Sequence, residues 1–70
     1  MVDSKTIGRR IRALRKEKGL STFSLALAIG VTDSAIRGYE SGERVARDEI
    51  KVKIANFFGK SVQEIFFDED

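Results

Sequence analysis

Residues 21–39 read Ser-Thr-Phe-Ser-Leu-Ala-Leu-Ala-Ile-Gly-Val-Thr-Asp-Ser-Ala-Ile-Arg-Gly-Tyr, and this stretch decides the architecture. Ser21 and Thr32 are hydroxyl residues of the kind that cap helix starts, because a side-chain oxygen can accept from a free backbone N–H of the first turn. Each precedes a short run with helical apolar spacing: Leu25, Ala26 and Ile29 in the first, Ala35, Ile36 and Tyr39 in the second. Gly30 ends the first run, since glycine takes the left-handed conformation at little cost. Val31 fills the space between the two helices, and Ala26 is small enough to let them approach. Two short helices across a tight turn place the second where its first turn can enter a major groove. An ordinary helical hairpin uses the same glycine and apolar spacing, so the local pattern leaves both readings open.

Working outward, the remaining glycines divide the chain into further helices. A first helix over about 5–18, capped by Ser4, carries Ile7, Ile11 and Leu14 on one face and cations on the others. The central pair spans about 22–29 and 33–41. A fourth helix, about 48–58, has Asp48 and Glu49 in its first turn, where acids suit the helix dipole, and turns Ile50, Ile54, Ala55 and Phe58 inward. Ser61-Val62-Gln63-Glu64 is a capping-box pattern that opens a fifth, about 62–66. No stretch alternates with period two for long enough to make a strand. Residues 1–70 therefore read as one all-α domain of five helices with an acidic tail at 68–70. Gly8 and Gly38 fall inside helical patterns at a cost in propensity and need another reason.

Composition narrows the function classes. Seventy residues suit a single domain, one so small that burying a second copy's surface would add useful stability. The chain is 41% hydrophobic and 34% charged, a balance typical of a folded globular domain. It has no Cys, hence no disulfide, thiolate nucleophile or cysteine zinc site, and no His, the commonest general base and metal ligand. No catalytic residues, metal or cofactor are expected. The longest apolar run, 24–31, is far below the roughly 20 residues that cross a bilayer. Met1-Val2-Asp3-Ser4 lacks a basic segment followed by an apolar one, so no secretory signal is expected and a cytoplasmic location is. The net charge of +2 conceals an asymmetry. Lys5, Arg9, Arg10, Arg12, Arg15, Lys16 and Lys18 crowd the first helix, whereas the tail is acidic. Such a basic end can meet phosphate or be a solvated face.

Three pieces of the chain, IGRRIRALRKEKGLS (7–21), LALAIGVTDSAIRGYESG (25–42) and IANFFGKSVQEIF (54–66), resemble the Cro/cI-type phage repressor family of helix-turn-helix proteins. The resemblance implies a five-helix, lambda-repressor-like DNA-binding domain, usually dimeric, that binds double-stranded operator DNA. Its recognition helix would begin at Thr32, with base-reading positions at Asp33, Ser34, Arg37 and Gly38. Arg37 can fork onto a guanine and Asp33 can accept from a cytosine amine. Phosphate-facing positions fall on Ser21, Thr22, Thr32 and Arg44. An ion pair between Arg15 and Glu40 would tie the first helix to the end of the third. Residues 44–67 further resemble small Cro-like regulators of phages of Gram-positive bacteria, which points to a lysogeny switch.

The departures from that family lie on the surface meant for DNA. Thr22 stands where the family usually has Gln, Gly38 offers no side chain, and Asp33 faces a polyanion with a negative charge. Phe23, Leu27 and Ala28 replace the usual polar residues; the first two lie four apart and so form one patch, fit for a protein contact or for local packing. A second reading follows from them: an anti-repressor that forms a heteromeric complex with a partner repressor and binds DNA weakly itself. If a homodimer forms, its contacts are expected from Val62, Ile65 and Phe67; Ile65 and Phe66 can equally close the monomer's own core, the reading preferred for Phe66.

Overall fold

Asp3, not Ser4, starts the first helix of the computed structural model, which describes residues 2–69; Met1 and Asp70, the last residue of the acidic tail, lie outside them. The Asp3 carboxylate accepts from the Thr6 N–H at 2.8 Å, so α1 runs Ser4–Glu17 with Lys18 as its C-cap. Asp3 brings a full negative charge to the positive end of the helix dipole, which a hydroxyl cannot do. Ser4 is thereby released, and its hydroxyl donates to the Gly42 carbonyl at 2.9 Å, at the far end of the third helix.

The next two helices are capped as their sequence implies. α2 is Thr22–Ile29, with the Ser21 hydroxyl accepting from the Ser24 N–H at 3.0 Å, and α3 is Asp33–Ser41, with Thr32 accepting from the Ala35 N–H at 3.0 Å. Between them Gly30 sits at φ 85°, where its N–H and that of Val31 both return to the Ala26 carbonyl, at 2.8 and 3.0 Å. That turn closes α2 on the Ala26 carbonyl and sends the chain straight into α3.

α4 is Asp48–Phe58, closed by Gly59 in the left-handed conformation. The capping box forms beyond it: the Glu64 N–H donates to the Ser61 hydroxyl at 3.0 Å, and the Ser61 N–H donates to the Glu64 carboxylate at 2.9 Å. The helix that follows, α5, is Gln63–Phe67, and it is wider than an α-helix, closing with an i+5 bond from the Asp68 N–H to the Gln63 carbonyl at 2.8 Å. Its adjacent Ile65 and Phe66 are both buried. Arg10 of α1 holds this turn from outside, donating to the carbonyls of Ile65 at 3.1 Å and Asp68 at 2.7 Å, where a cation suits the carboxyl end of a helix.

Each helix sends one aliphatic side chain to the centre: Ile11, Leu25, Ile36, Ile54 and Ile65 are the largest fully buried residues. α3 packs against both α1 and α2, α2 against α4, and α5 against α1. Among the described residues there is no strand. Gly8 has its reason here. A Cβ at this buried position would fall on the carbonyls of Tyr39 and Glu40, so α1 and α3 cross with backbones touching. The outcome is a core clamped on one face of α3, which leaves the opposite face bare.

Candidate nucleic-acid interface

Of the four positions at which base reading is expected, Ser34 and Arg37 lie on the bare face, whereas Asp33 and Gly38 are half-buried. Ala35, Ile36 and Tyr39 of α3 are buried, and between them Thr32, Ser34, Arg37 and Ser41 are exposed. The helix therefore stands as a ridge, with one face in the core and Ser34 and Arg37 on the open one.

Asp33 is not the open acceptor expected from the sequence. One carboxylate oxygen accepts from the Thr22 hydroxyl at 2.6 Å and the other from Arg37 Nε at 2.7 Å. Those bonds, the Thr22 one foremost, hold the carboxyl below its ordinary pKa, so it stays charged and anchored. Thr22 is drawn into a bridge between the starts of α2 and α3, and Arg37 is steadied one turn along the ridge. The pair engages only Nε of Arg37, so the terminal nitrogens, the fork that matches a guanine edge, remain outside it.

Behind the ridge lies the ion pair between α1 and α3. Arg15 donates through Nε and a terminal nitrogen to the two oxygens of Glu40, at 2.6 and 2.9 Å, and through its other nitrogen to the Leu20 carbonyl at 2.7 Å. The side chains are only 11% and 7% exposed, and the Glu40 bond lifts the Arg15 pKa above its usual value. With its donors engaged and its charge neutralised, Arg15 is scaffold.

A shallow concavity beside this pair is lined by Arg12, Arg15, Ser21, Thr22, Arg37, Glu40 and Ser41. Since Arg15 and Glu40 neutralise each other and Arg37 is paired with Asp33, Arg12 is the cation that gives it a positive balance, beside the start of α2. Arg12 is missing from the residues singled out in the sequence. The signal was its position three residues before Arg15, which puts both on one face of α1.

On the other flank Arg44 follows α3. Its N–H donates to the Gly38 carbonyl at 3.1 Å, and its guanidinium carbon lies 5.7 Å from the centre of the Tyr39 ring. A second depression, walled in part by Thr32, Tyr39, Arg44 and Arg47, adds a cation that the sequence reading passed over. Other cations of α1 face elsewhere: Arg10 holds α5, and Lys18 lies over the Phe57 ring at 5.6 Å.

Phe23 and Leu27 are 59% and 68% exposed, and Ala28 beside them is exposed, so the patch on α2 is not packed against α1. At the C-terminal end Ile65 is 2% exposed and belongs to the monomer core, which removes it from the expected dimer contacts. The wide turn of α5 accounts for this, by turning Ile65 and Phe66 inward together. Val62 is half-buried against the core and Phe67 is exposed. Among the described residues no three acidic, His or Cys side chains are grouped to hold a metal ion, and no helix is long and apolar enough to cross a membrane.

The sequence model of the helix-turn-helix family matches residues 11–65, and the chain belongs to that family. Over 55 residues it is 40% identical to a Pyrobaculum aerophilum protein provisionally named an HTH-type transcriptional regulatory protein, covering 79% of this chain and 22% of that protein. A similarly named Pyrococcus furiosus protein is 33% identical over 51 residues, 73% of this chain and 16% of the relative. The chain thus spans about a fifth of the length of these relatives. Among solved structures, the restriction-modification controller protein C.AhdI from Aeromonas hydrophila superposes with a TM-score of 0.83 and 33% identity, over 90% of this chain and 96% of that one. The clp gene regulator ClgR from C. glutamicum shares the fold, with a TM-score of 0.79 at 23% identity, over 93% and 84% of the two chains.

Proposed function

We propose that this helix-turn-helix protein is a transcriptional regulator that binds duplex operator DNA by laying α3 in the major groove. The observation that carries the reading is the bare ridge of α3, with Arg37 held at its exposed side and cations on both flanks. Arg37 and Ser34 would meet base edges. Ser21, Thr22 and Arg12 would meet phosphate on one side, together with the N–H groups of the α2 start, while Thr32, Arg44 and Arg47 would do so on the other. The names of the relatives and of the structural neighbours agree with such a role. Catalysis forms no part of this reading, and the cytoplasm, where the DNA is, is the expected location.

The regulated promoter is assigned to a phage or prophage lysogeny switch on the resemblance of residues 44–67 to small Cro-like regulators. Titration against operator-sized duplex over a range of salt tests the DNA reading. Affinity should fall steeply as salt rises, because each neutralised phosphate releases a counterion. A flat response, or no binding at low salt, overturns it. The exposed Phe23 and Leu27 favour a second reading, an anti-repressor that seats this patch on a partner repressor. Repeating the titration with the repressor encoded nearby separates the two: a heteromeric complex with no duplex binding selects the second.

A further inference from the structure

We infer that Gly38 reads no base but is the seat across which the Arg44 side chain lies, so that Arg44 is the group offered to DNA at this point of the ridge. The inference rests on the DNA-binding reading above and assigns position 38 a different role within it. A Cβ built on Gly38 would lie 2.6 Å from Arg44 Cδ, 2.8 Å from Cγ and 3.2 Å from Cβ, so the stem of the arginine occupies the space of the missing side chain. The Arg44 backbone is tied to the same residue, its N–H donating to the Gly38 carbonyl at 3.1 Å. From that seat the guanidinium reaches the Tyr39 ring, 5.7 Å from its centre, a distance at which a cation is attracted to the ring face. Backbone bond, stem and stacked head fix a long cation that would otherwise sample many rotamers, and a preformed cation loses less entropy on meeting phosphate.

Conformation does not explain this glycine. Gly38 is absent from the residues with positive φ, and it lies inside α3, where alanine would be the better helix former. The three nearest contacts to a Cβ at 38 are all on the Arg44 stem. Cδ and Cγ can swing aside, and Cβ, at 3.2 Å, needs the Arg44 backbone to give by a few tenths of an ångström. With alanine at 38 it is therefore Arg44 that would move and the helix that would stay. Gly8 differs in this respect, since its neighbours are backbone carbonyls.

The test is Gly38→Ala in the full chain, alone and combined with Arg44→Ala. The Arg44 guanidinium lies over the Tyr39 ring, so ring-current shifts on the Arg44 side-chain protons, together with their cross-relaxation to the Tyr39 ring protons, report the stack without DNA. The single substitution should keep or raise the thermal midpoint, abolish the upfield shift of the Arg44 protons, and weaken duplex binding roughly tenfold with a salt slope lower by about one. With Arg44 already replaced by alanine, Gly38→Ala should weaken binding no further. Persistence of the shifted protons in Gly38→Ala overturns the seat. Wild-type affinity in that variant, or an equal loss with and without Arg44, overturns its part in binding. Should the wild-type chain bind no duplex while the ring-current result stands, it is the DNA reading that fails, together with what the seat is for.

Discussion

Asp33 carries the one acidic side chain in the first turn of α3, and both of its oxygens are occupied, by Thr22 and Arg37. Its folded-state pKa lies below the ordinary carboxyl value, and so do those of Asp3 and Glu64, whose foremost causes are bonds from the backbone N–H groups of Thr6 and Ser61. A depressed carboxyl pKa means that the unfolded chain binds the proton more tightly. The stabilisation is therefore complete above the unfolded value, about 4, and disappears as pH falls through the lower folded values. The thermal midpoint should decline below that pH, and Asp33→Asn should flatten part of the decline; parallel midpoint–pH curves for the two proteins would disprove the anchoring role. The same variant should bind non-specific duplex several-fold more tightly, having lost a negative charge and freed Arg37, yet discriminate less between sequences. Arg15 poses the opposite case, since its removal strands Glu40 in a nearly closed groove. Arg15→Ala should cost about 3 kcal/mol, the low end for breaking a buried pair, and Arg15→Met with Glu40→Leu should cost clearly less. Urea unfolding decides between them, and equal losses for both would show that the pair is not what the site lacks. The residues of this pair were legible through the resemblance. The Thr22–Asp33 bond was not, because its partners start different helices and meet only once the turn at Gly30 has closed.

Helix ends were legible wherever their determinants are local. Ser21, Thr32 and the box Ser61–Glu64 each form the cap that three or four consecutive residues predict. At the start of α1 the sequence reading put the cap on Ser4, and the Asp3 carboxylate, one residue earlier, took the position instead. The width of α5 was out of reach for another reason: the burial of Ile65 with Phe66 and the Arg10 bonds that hold it come from a helix more than fifty residues earlier. Two glycines separate conformation from contact at this scale. Gly30 has φ 85° and open space where a Cβ would go, so Gly30→Ala should cost about 1–2 kcal/mol from backbone strain alone. Gly8 lies within α1, where alanine gains about 1 kcal/mol of helix propensity, yet its Cβ would force the Tyr39 and Glu40 carbonyls away. Gly8→Ala should therefore be the more damaging of the two in thermal unfolding, and it should also break the Arg15–Glu40 pair by parting α1 from α3. If Gly8→Ala proved neutral, the close crossing of those helices would be wrong.

The whole molecule measures 29 × 24 × 22 Å, while successive major-groove faces of B-form DNA lie about 34–36 Å apart. On the DNA-binding reading proposed above, one such domain would span at most one half-site, and a second copy would extend the operator that is read. The remaining surface limits where that copy can sit. Ile65 is unavailable, being in the core, and the proposed function reserves the ridge of α3 for DNA. Phe67 of α5 and Val52 of α4 are exposed, and the Lys51 ammonium lies 5.8 and 5.4 Å from the Phe66 and Phe67 ring centres, which brings α4 against α5 at Phe67. Phe67→Ser should remove the largest exposed apolar group there while leaving the monomer's thermal midpoint nearly unchanged, because the ring is already half in water. Sedimentation should then report a weaker dimer. On a two-half-site operator the variant should fill the halves independently, with single half-site affinity retained. Cooperative filling by Phe67→Ser would move the dimer contact elsewhere, and the exposed Phe23 and Leu27, four apart on α2, are the next pair to replace.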